Sequence, residues 1–473
     1  MNREIYMAQL AENAQSEHFS EAENRVETSD TDAKSKLNFP IVGIGASAGG
    51  LAAFESFFSG LPTDVDSDMA YVLVQHLSPE HKSILTELIS HYTNMKVFEV
   101  EDGMAVQPNC VYVIPAGWDI ALLNGILQLF EPTEPHGHRL PINYFFRSLA
   151  QDQAQKAIGI ILTGTGSDGT LGIQAIKAQG GMVMVQSQSS AEYDGMPSSA
   201  IATGVVDYEL LPSEMPAKLI DYTTHALGTP PRTFASPTLE YENSLKKIFI
   251  LLRTHTGHDF SLYKPSTIYR RIERRMVVHQ IDEIGKYVKY LQNTPPEIVA
   301  LFRDLLIGVT NFFRDPEAFM ALEEHIIPKL FIAKPQGSVI RIWSAGCSTG
   351  EEAYSIAILL QEYMEAMKVH YVVQIFATDI DAQSIAKART GLFASTISVD
   401  VTAERLTRFF TAEPDGSMYR VHKNIRDMLV FSEHNIIKDP PFSRLDLIVC
   451  RNLLIYMGTE LQKKTFSSVS LCT

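Results

Sequence analysis

Short apolar runs that end in clusters of small residues constrain this chain more than any other feature. The first is Pro40-Ile41-Val42-Gly43-Ile44-Gly45. A run so short and so uniformly apolar reads as a strand of a parallel sheet, buried on both faces. Similar runs occupy Met69–Gln75, Cys110–Ile114, Ala157–Leu162 and Gly181–Val185. Helical stretches fall between them, at Gly50–Phe58, Ser83–His91, Tyr144–Gln153 and Leu171–Ala178. Strands alternating with helices predict an α/β fold with a doubly wound, mostly parallel sheet and right-handed crossovers. Ligand sites in such sheets lie at the carboxyl ends of the strands.

The pattern then changes twice. Residues 226–241 carry three prolines without periodicity and read as a linker. Residues 242–325 are helical in pattern and rich in Arg, Glu and Leu. A second α/β pattern fills 326–473, with strand Val339–Ser344, helix Glu351–Met364, strand Tyr371–Thr378 and helix Ala382–Thr390. The expected order is therefore a tail at 1–38, an α/β domain at 39–225, the linker, a helical subdomain and a Rossmann-like domain. The tail is polar and reads as disordered, with a short helix at Ile5–Asn13.

Bulk properties narrow the partners. Forty basic against 55 acidic side chains leave a formal charge of −15, which weighs against nucleic acid or an anionic membrane as the main partner. No window reaches the roughly 18 apolar residues of a membrane span, and no apolar core follows a basic start. Cys110, Cys347, Cys450 and Cys472 include no C-x-x-C pair, so neither a metal site nor a disulfide framework is expected. A cytoplasmic location fits these traits.

Three strand ends offer chemistry. Gly45-Ala46-Ser47-Ala48-Gly49 matches G-x-S-x-G, in which small neighbours let a serine protrude from a tight strand-to-helix turn. The same run, Gly43-x-Gly45-x-x-Ala48 with Asp64, Asp66 and Asp68 following, also fits a dinucleotide fingerprint and hence a nicotinamide oxidoreductase. His76 directly follows the strand ending at Gln75, where a core or capping histidine is the plainer reading. Asp168 lies in the glycine-rich loop after Leu162, where an acid capping the next helix is the plainer reading. Taken together, the three supply a nucleophile, a base and a group to orient the base.

Residues 40–220 resemble the catalytic domain of the chemotaxis protein-glutamate methylesterases, which are also glutamine deamidases. The resemblance rests on GIGASAGG (43–50), QHLSPEHKS (75–83), LTGTGSDGT (162–170) and DGMPSSAIATG (194–204). It implies that Ser47 is the nucleophile, His76 the general base and Asp168 the residue orienting the imidazole. It also implies an oxyanion hole from backbone N–H groups of the Thr163–Gly166 loop, and no cofactor. Asn143 stands where an aspartate is expected. The family's regulator is an N-terminal phosphoacceptor domain, and the 38 residues before Phe39 are too few for one. Gating in cis by such a domain is therefore not expected.

Farther on, Arg341-Ile342-Trp343-Ser344-Ala345-Gly346-Cys347-Ser348-Thr349-Gly350 is a strand and a small-residue loop leading into a helix. Such a loop lets a ligand approach the backbone closely. Asp379 ends the next strand, where it can bind ribose hydroxyls or simply cap a turn. Residues 243–466 resemble the chemotaxis receptor glutamate O-methyltransferases, which use S-adenosyl-L-methionine. Tyr263–Met276, Thr310-Asn311-Phe312-Phe313-Arg314, WSAGCSTGEEAYS, TDID, SEHN (432–435) and CRNLLIYM carry this second resemblance. It implies cofactor contacts from Thr310, Arg314, Glu351 or Glu352, Asp379, Asn435, Arg451 and Asn452. Arg314 and Tyr456 would border the reacting carboxylate. Gly308 replaces an amide side chain found in some members. Arg270, Arg271, Arg274 and Arg275 would either dock an acidic receptor helix or form a solvated face.

The resemblances imply a bifunctional enzyme of methyl-accepting chemotaxis or other signalling receptors. It would hydrolyse glutamate γ-methyl esters, with possible deamidation of glutamine, and methylate glutamate in the other direction. The rival is a non-catalytic docking module, at least in the C-terminal half. After Tyr456 the second family continues with a helix, a turn with proline and glycine, and closing strands, whereas this chain stops at Thr473. The expectation from sequence is a truncated methyltransferase domain of poor stability or activity. Micromolar binding of S-adenosyl-L-methionine in calorimetry would contradict it.

Overall fold

The computed structural model describes residues 39–62, 68–76, 85–132, 139–228, 239–306, 308, 310–332, 334–335, 337–414, 416 and 418–470. The expected tail and its helix, Asp64 and Asp66, most of the linker and Cys472 lie outside the described residues.

Among the described residues, ten strands and six α-helices make up the first half. The strands are β1 (Ile41–Ala46), β2 (Ala70–Gln75), β3 (Lys96–Glu99), β4 (Met104–Ala105), β5 (Cys110–Val113), β6 (Asp119–Leu123), β7 (Ile126–Phe130), β8 (Ala157–Ile161), β9 (Met182–Gln186) and β10 (Tyr208–Leu210). The helices are α1 (Gly50–Ser59), α2 (Leu85–Ser90), α3 (Pro141–Gln153), α4 (Thr170–Ala178), α5 (Gly195–Ile201) and α6 (Met215–Gly228). Seven strands form one parallel sheet in the order β10-β9-β8-β1-β2-β5-β3. The chain works outward from β1 on one side, then returns to lay β8, β9 and β10 on the other. The switch point thus falls between β1 and β8, and a crevice opens above their carboxyl ends.

Both faces of the sheet are buried. Val42 and Ile44 of β1 pack with Phe54, Phe57 and Phe58 of α1. On the opposite face α3 presses Ile142, Phe145 and Phe146 onto β1. This explains Gly43 and Gly45. A Cβ on Gly45 would lie 2.4 Å from Ile142 Cγ2, and one on Gly43 would lie 2.7 Å from Phe146 Cε1. These glycines admit a helix, so the packing accounts for the spacing that also suggested a dinucleotide site. An antiparallel sheet, β4-β7-β6, flanks the domain. Its Asn124-Gly125 turn has positive φ at both residues, 53° and 75°, which matches the right-handed twist of a two-residue hairpin.

α6 continues to Gly228, past the expected start of the linker, and α7 (Leu239–Thr256) begins just before its expected end. α7, α8 (Pro265–Val278), α9 (Ile284–Asn293) and α10 (Pro295–Leu306) enclose a core of Leu245, Ile248, Leu252, Ile272, Leu291 and Leu301. After α11 (Pro316–Ala321) and α12 (Ile327–Ile332) comes a second parallel sheet. It contains β11 (Val339–Ala345) and β12 (Val372–Asp379), separated by α13 (Glu351–Met367). After α14 (Ala382–Thr390), β13 (Leu392–Ala394), β14 (Phe410–Ala412) and β15 (Met418–Val421) form a small antiparallel sheet. β16 (Leu429–Glu433) and β17 (Leu447–Val449) complete the parallel sheet in the order β16-β12-β11-β17. The chain then returns to the helical subdomain, where Met457 and Leu461 enter its core.

The two halves share a buried joint. Val278 of α8 packs into the cluster holding Met182, Met184, Met215 and Tyr222 of the first half. Beside it lies a charge cluster. Asp207 accepts from Lys177 Nζ at 2.7 Å, from the backbone N–H of Val183 at 3.0 Å and from Arg274. Lys177 also pairs with Asp304 at 3.1 Å, and Arg274 donates to Asp304 at 2.6 Å. Arg275 pairs with Glu297, which also accepts from Tyr287 at 2.8 Å. Arg271 donates to the carbonyls of Lys177 (3.0 Å) and Ala178 (2.6 Å), capping the C-terminal end of α4 from the other half. Arg271, Arg274 and Arg275 are therefore buried in the joint. The expected docking face is corrected on this point: its arginines are already paired, and Arg270 alone of the four is exposed.

Burial alone would raise the acid pKa values. Arg274 and Lys177 nevertheless hold Asp207 well below the carboxylate range. Hydrogen bonds from His279 and Arg275 bring Glu297 down to about 2. Because the folded values are depressed, the ionic contribution is fully present above about pH 4. It is lost as pH falls through about 2, where Glu297 protonates. Asp207→Ala leaves Lys177 and Arg274 buried and short of an anion. It should cost about 3–5 kcal/mol in urea unfolding at pH 7, whereas Asp427→Ala, which breaks an exposed pair with Lys423, should change the midpoint little.

Candidate functional site

Ser47, His76 and Asp168 meet in the crevice at the switch point. β1 and β2 pair in parallel with Ala46 opposite Gln75, so Ser47 and His76 are the next residues on adjacent strands, about 4.8 Å apart by strand spacing. Gln75 Nε2 donates to the Ser47 carbonyl at 3.3 Å, and Ser47 N–H donates to the Thr163 carbonyl at 3.0 Å. The serine is thus tied to both neighbouring strands. Gly49, with φ +75°, turns the chain into α1.

Asp168 is buried, yet each carboxylate oxygen is doubly hydrogen-bonded. Oδ2 accepts from His76 Nε2 at 2.8 Å and Ile142 N–H at 3.0 Å. Oδ1 accepts from Asn143 N–H at 2.9 Å and Gly169 N–H at 2.8 Å. Ile142 and Asn143 lie in the first turn of α3, whose N-cap residue, Leu140, offers no side-chain acceptor. Asp168 caps that helix from across the fold, so the helix dipole favours its negative charge. Asn143 repays the arrangement: its Oδ1 accepts from Gly172 N–H, in the first turn of α4, at 2.8 Å. The amide therefore has a structural role that its sequence position alone did not disclose.

The Asp168 contact fixes His76 with Nε2–H donating, which leaves Nδ1 to take a proton. Two of the expected oxyanion donors are already engaged. Thr163 N–H donates to Gln186 Oε1 at 2.8 Å, and Gly164 N–H donates to the Tyr193 carbonyl at 2.9 Å. Among the described residues, the N–H groups of Thr165 and Gly166 remain. Gly164 has no room for a side chain, since a Cβ would lie 2.8 Å from Ser47 Cβ.

The second site is a cavity of about 410 Å³ above the carboxyl ends of β11 and β12. Thr310, Arg314, Glu352, Asp379, Asn435, Arg451, Asn452 and Tyr456 all line it. Asp379 accepts from the backbone N–H groups of Ser348 (2.8 Å) and Asp381 (3.0 Å), which closes the loop after β11 against the end of β12. Arg451 donates to the Arg314 carbonyl at 2.6 Å and Asp315 at 2.8 Å, and its guanidinium lies over the Phe319 ring. Phe313, Asp315, Ser348 and Asn452 hold positive φ on these loops, and strain of this kind concentrates at working sites.

Sequence reasoning missed His258 and Tyr263 in this cavity. Asn435 Nδ2 donates to His258 Nδ1 at 3.0 Å, so His258 Nε2–H donates to the Tyr263 hydroxyl at 2.9 Å. Burial lowers His258 to about 4, which keeps it neutral. The signal available was the spacing His258-x₄-Tyr263 beside a helix start, which carries no chemistry by itself.

Glu351 departs from expectation. It does not line the cavity; Thr349 Oγ1 donates to its carboxylate at 2.9 and 2.6 Å. Glu352 faces the cavity instead, and of the two it is the one placed to meet a ligand. Burial raises the pKa of Glu352 and Asp379, so both carboxylates would be favoured by a cationic ligand. A sulfonium bearing an ammonium group and a ribose fits that donor set and that volume.

Comparison with known proteins follows this division. A model for the CheB methylesterase matches residues 42–219. Models for the CheR methyltransferase match residues 243–306 (all-alpha domain) and 308–470 (SAM binding domain). An uncharacterized 104.1 kDa protein in the hypE 3′ region of Rhodobacter capsulatus is 37% identical over 400 residues, 80% of this chain and 42% of that protein. This chain thus spans less than half the length of that relative. The chemotaxis protein methyltransferase of Borreliella burgdorferi is 31% identical over 225 residues, 46% of this chain and 79% of that protein. The crystal structure of the Thermotoga maritima CheB methylesterase catalytic domain is 31% identical, covering 39% of this chain and 99% of that chain, with a TM-score of 0.37.

Burial pushes Glu351 from the ordinary 4.5 to about 7. The native state therefore holds this proton more tightly than the unfolded chain, and stability falls as pH rises from about 4.5 through 7. Glu351→Gln should raise the melting temperature at pH 8 and leave it nearly unchanged at pH 4, as read by scanning calorimetry.

Proposed function

The chain belongs to the chemotaxis methylation enzymes, as a CheB methylesterase domain joined to a CheR methyltransferase, and we propose that it turns over both reactions on glutamate side chains of signalling receptors. The observation that carries the esterase reading is the His76–Asp168 pair set beside Ser47 at the sheet's switch point.

Ser47 Oγ attacks the ester carbonyl of a glutamate γ-methyl ester while His76 Nδ1 takes its proton. Asp168 stabilises the imidazolium and keeps it oriented. The N–H groups of Thr165 and Gly166 would receive the oxyanion. His76 returns its proton to the departing methoxide, and methanol leaves an acyl-enzyme. Water, deprotonated by His76, then releases glutamate and restores Ser47. A glutamine side chain would follow the same course with ammonia as the leaving group.

In the methyltransferase half, S-adenosyl-L-methionine supplies an electrophilic methyl group when bound. Glu352 and Asp379 would hold its cationic and ribose portions, with Thr310, Asn435, Arg451 and Asn452 completing the contacts. Arg314 and Tyr456 would orient the acceptor carboxylate. Support for competence comes from the joint presence of these eight side chains around one cavity. The separate expectation that Arg270, Arg271, Arg274 and Arg275 dock an acidic receptor helix loses support because three of the four are buried.

Methanol release from a methyl-esterified receptor cytoplasmic fragment tests the esterase. Ser47→Ala should reduce it by more than about 10³-fold and Asp168→Asn by about 10⁴-fold, with the fold intact by circular dichroism. Equal release by the native and Ser47→Ala proteins would overturn the assignment. Labelled methyl transfer to the unesterified fragment tests the other half.

A further inference from the structure

The cavity of the methyltransferase half is not built by that half alone. Gln174, Lys177 and the run Ala202-Thr203-Gly204-Val205, all from the esterase half, form part of its lining. Gln174 and Lys177 lie three residues apart on α4 and so share a face. The run Ala202–Val205 closes α5. Gly204 N–H donates to the Ile201 carbonyl at 3.0 Å, and Val205 N–H donates to Thr203 Oγ1 at 3.2 Å. At Gly204, with φ +73°, an added Cβ would meet nothing within 4 Å, so the turn faces open space.

The buried joint holds this wall in place. Lys177 is pinned to Asp304, itself a lining residue, and Arg271 caps the end of α4. Arg271 and Tyr456 line the same cavity as this wall. The charges there have a clear sense. Lys177 is offset by Asp207 and Asp304, whereas Arg271 donates only to carbonyls and Arg303 is exposed. Arg271 and Arg303 thus add positive charge to a lining that also holds the Gln174 amide and the Thr203 hydroxyl.

We propose that Gln174 and Thr203 of the esterase half are specificity-determining residues for the methyltransferase reaction, forming the wall past which an acidic, glutamate-bearing protein segment reaches Tyr456. This rests on the methyltransferase reading above. The esterase half selects the substrate of the opposing reaction, and the cofactor is held by the other walls.

Gln174→Glu and Thr203→Trp in the full chain test it. The first adds an anion of nearly the same shape, and the second adds bulk. For each variant, the KM for an unesterified receptor fragment should rise about tenfold with kcat within about twofold. Calorimetric affinity for S-adenosyl-L-methionine and methanol release by the esterase should stay within about twofold, which also reports an intact fold. A KM unchanged in both variants overturns the proposal, as does a loss of cofactor affinity without a change in KM. Absence of cofactor binding by the native chain overturns the reading beneath it, and calorimetry on the native protein distinguishes that failure from the others.

Discussion

Asp207 is the group on which most of the molecule's order converges. Its carboxylate ties β9 to the loop before β10 through Val183, anchors Lys177 of α4, and takes Arg274 of α8 from the other half. An isolated carboxylate in such a place would be neutralised or expelled. Here the surrounding cations keep it ionised. The two halves are held in a fixed relation by this exchange of buried charge. The apolar contact of Val278 alone would leave that relation less specific.

The esterase site depends on the same economy of unsatisfied groups. A helix N-terminus without its own cap and a carboxylate without water solve each other's problem at Asp168. Asp168 is therefore a structural cap as well as the partner of His76. Asn143 caps α4 in return, so α3 and α4 are mutually constrained at their first turns.

Much of this was legible in the sequence because strand ends are local. Ser47, His76 and Asp168 each follow an apolar run, and any parallel sheet gathers such positions at one rim. Of the residues expected to contact the methyl donor or the acceptor, all but Glu351 line one cavity. Glu351 and Glu352 are adjacent on a helix and point about 100° apart, which no motif resolves without the fold. The arginines of α8 were misleading because a basic run reads as a solvated face. Their partners, Asp207, Glu297 and Asp304, are fixed only by tertiary packing. The β6–β7 hairpin carried its signal openly in Asn124-Gly125, but its short strands alternate weakly and one face stays wet.

The charge cluster at the joint divides evenly between the halves. Lys177 and Asp207 belong to the first; Arg274, Arg275, Glu297 and Asp304 belong to the second. The ion pairs balance within each half, and Arg271, which bonds to carbonyls of α4, is an added buried cation of the second. Parting the halves would leave Lys177 with Asp207 and Arg274 with Asp304, while Arg271 would lose its carbonyl partners and α4 its cap. Each half alone would expose the apolar patch around Val278 and lose the bonds that Arg271 and Arg274 make across the joint.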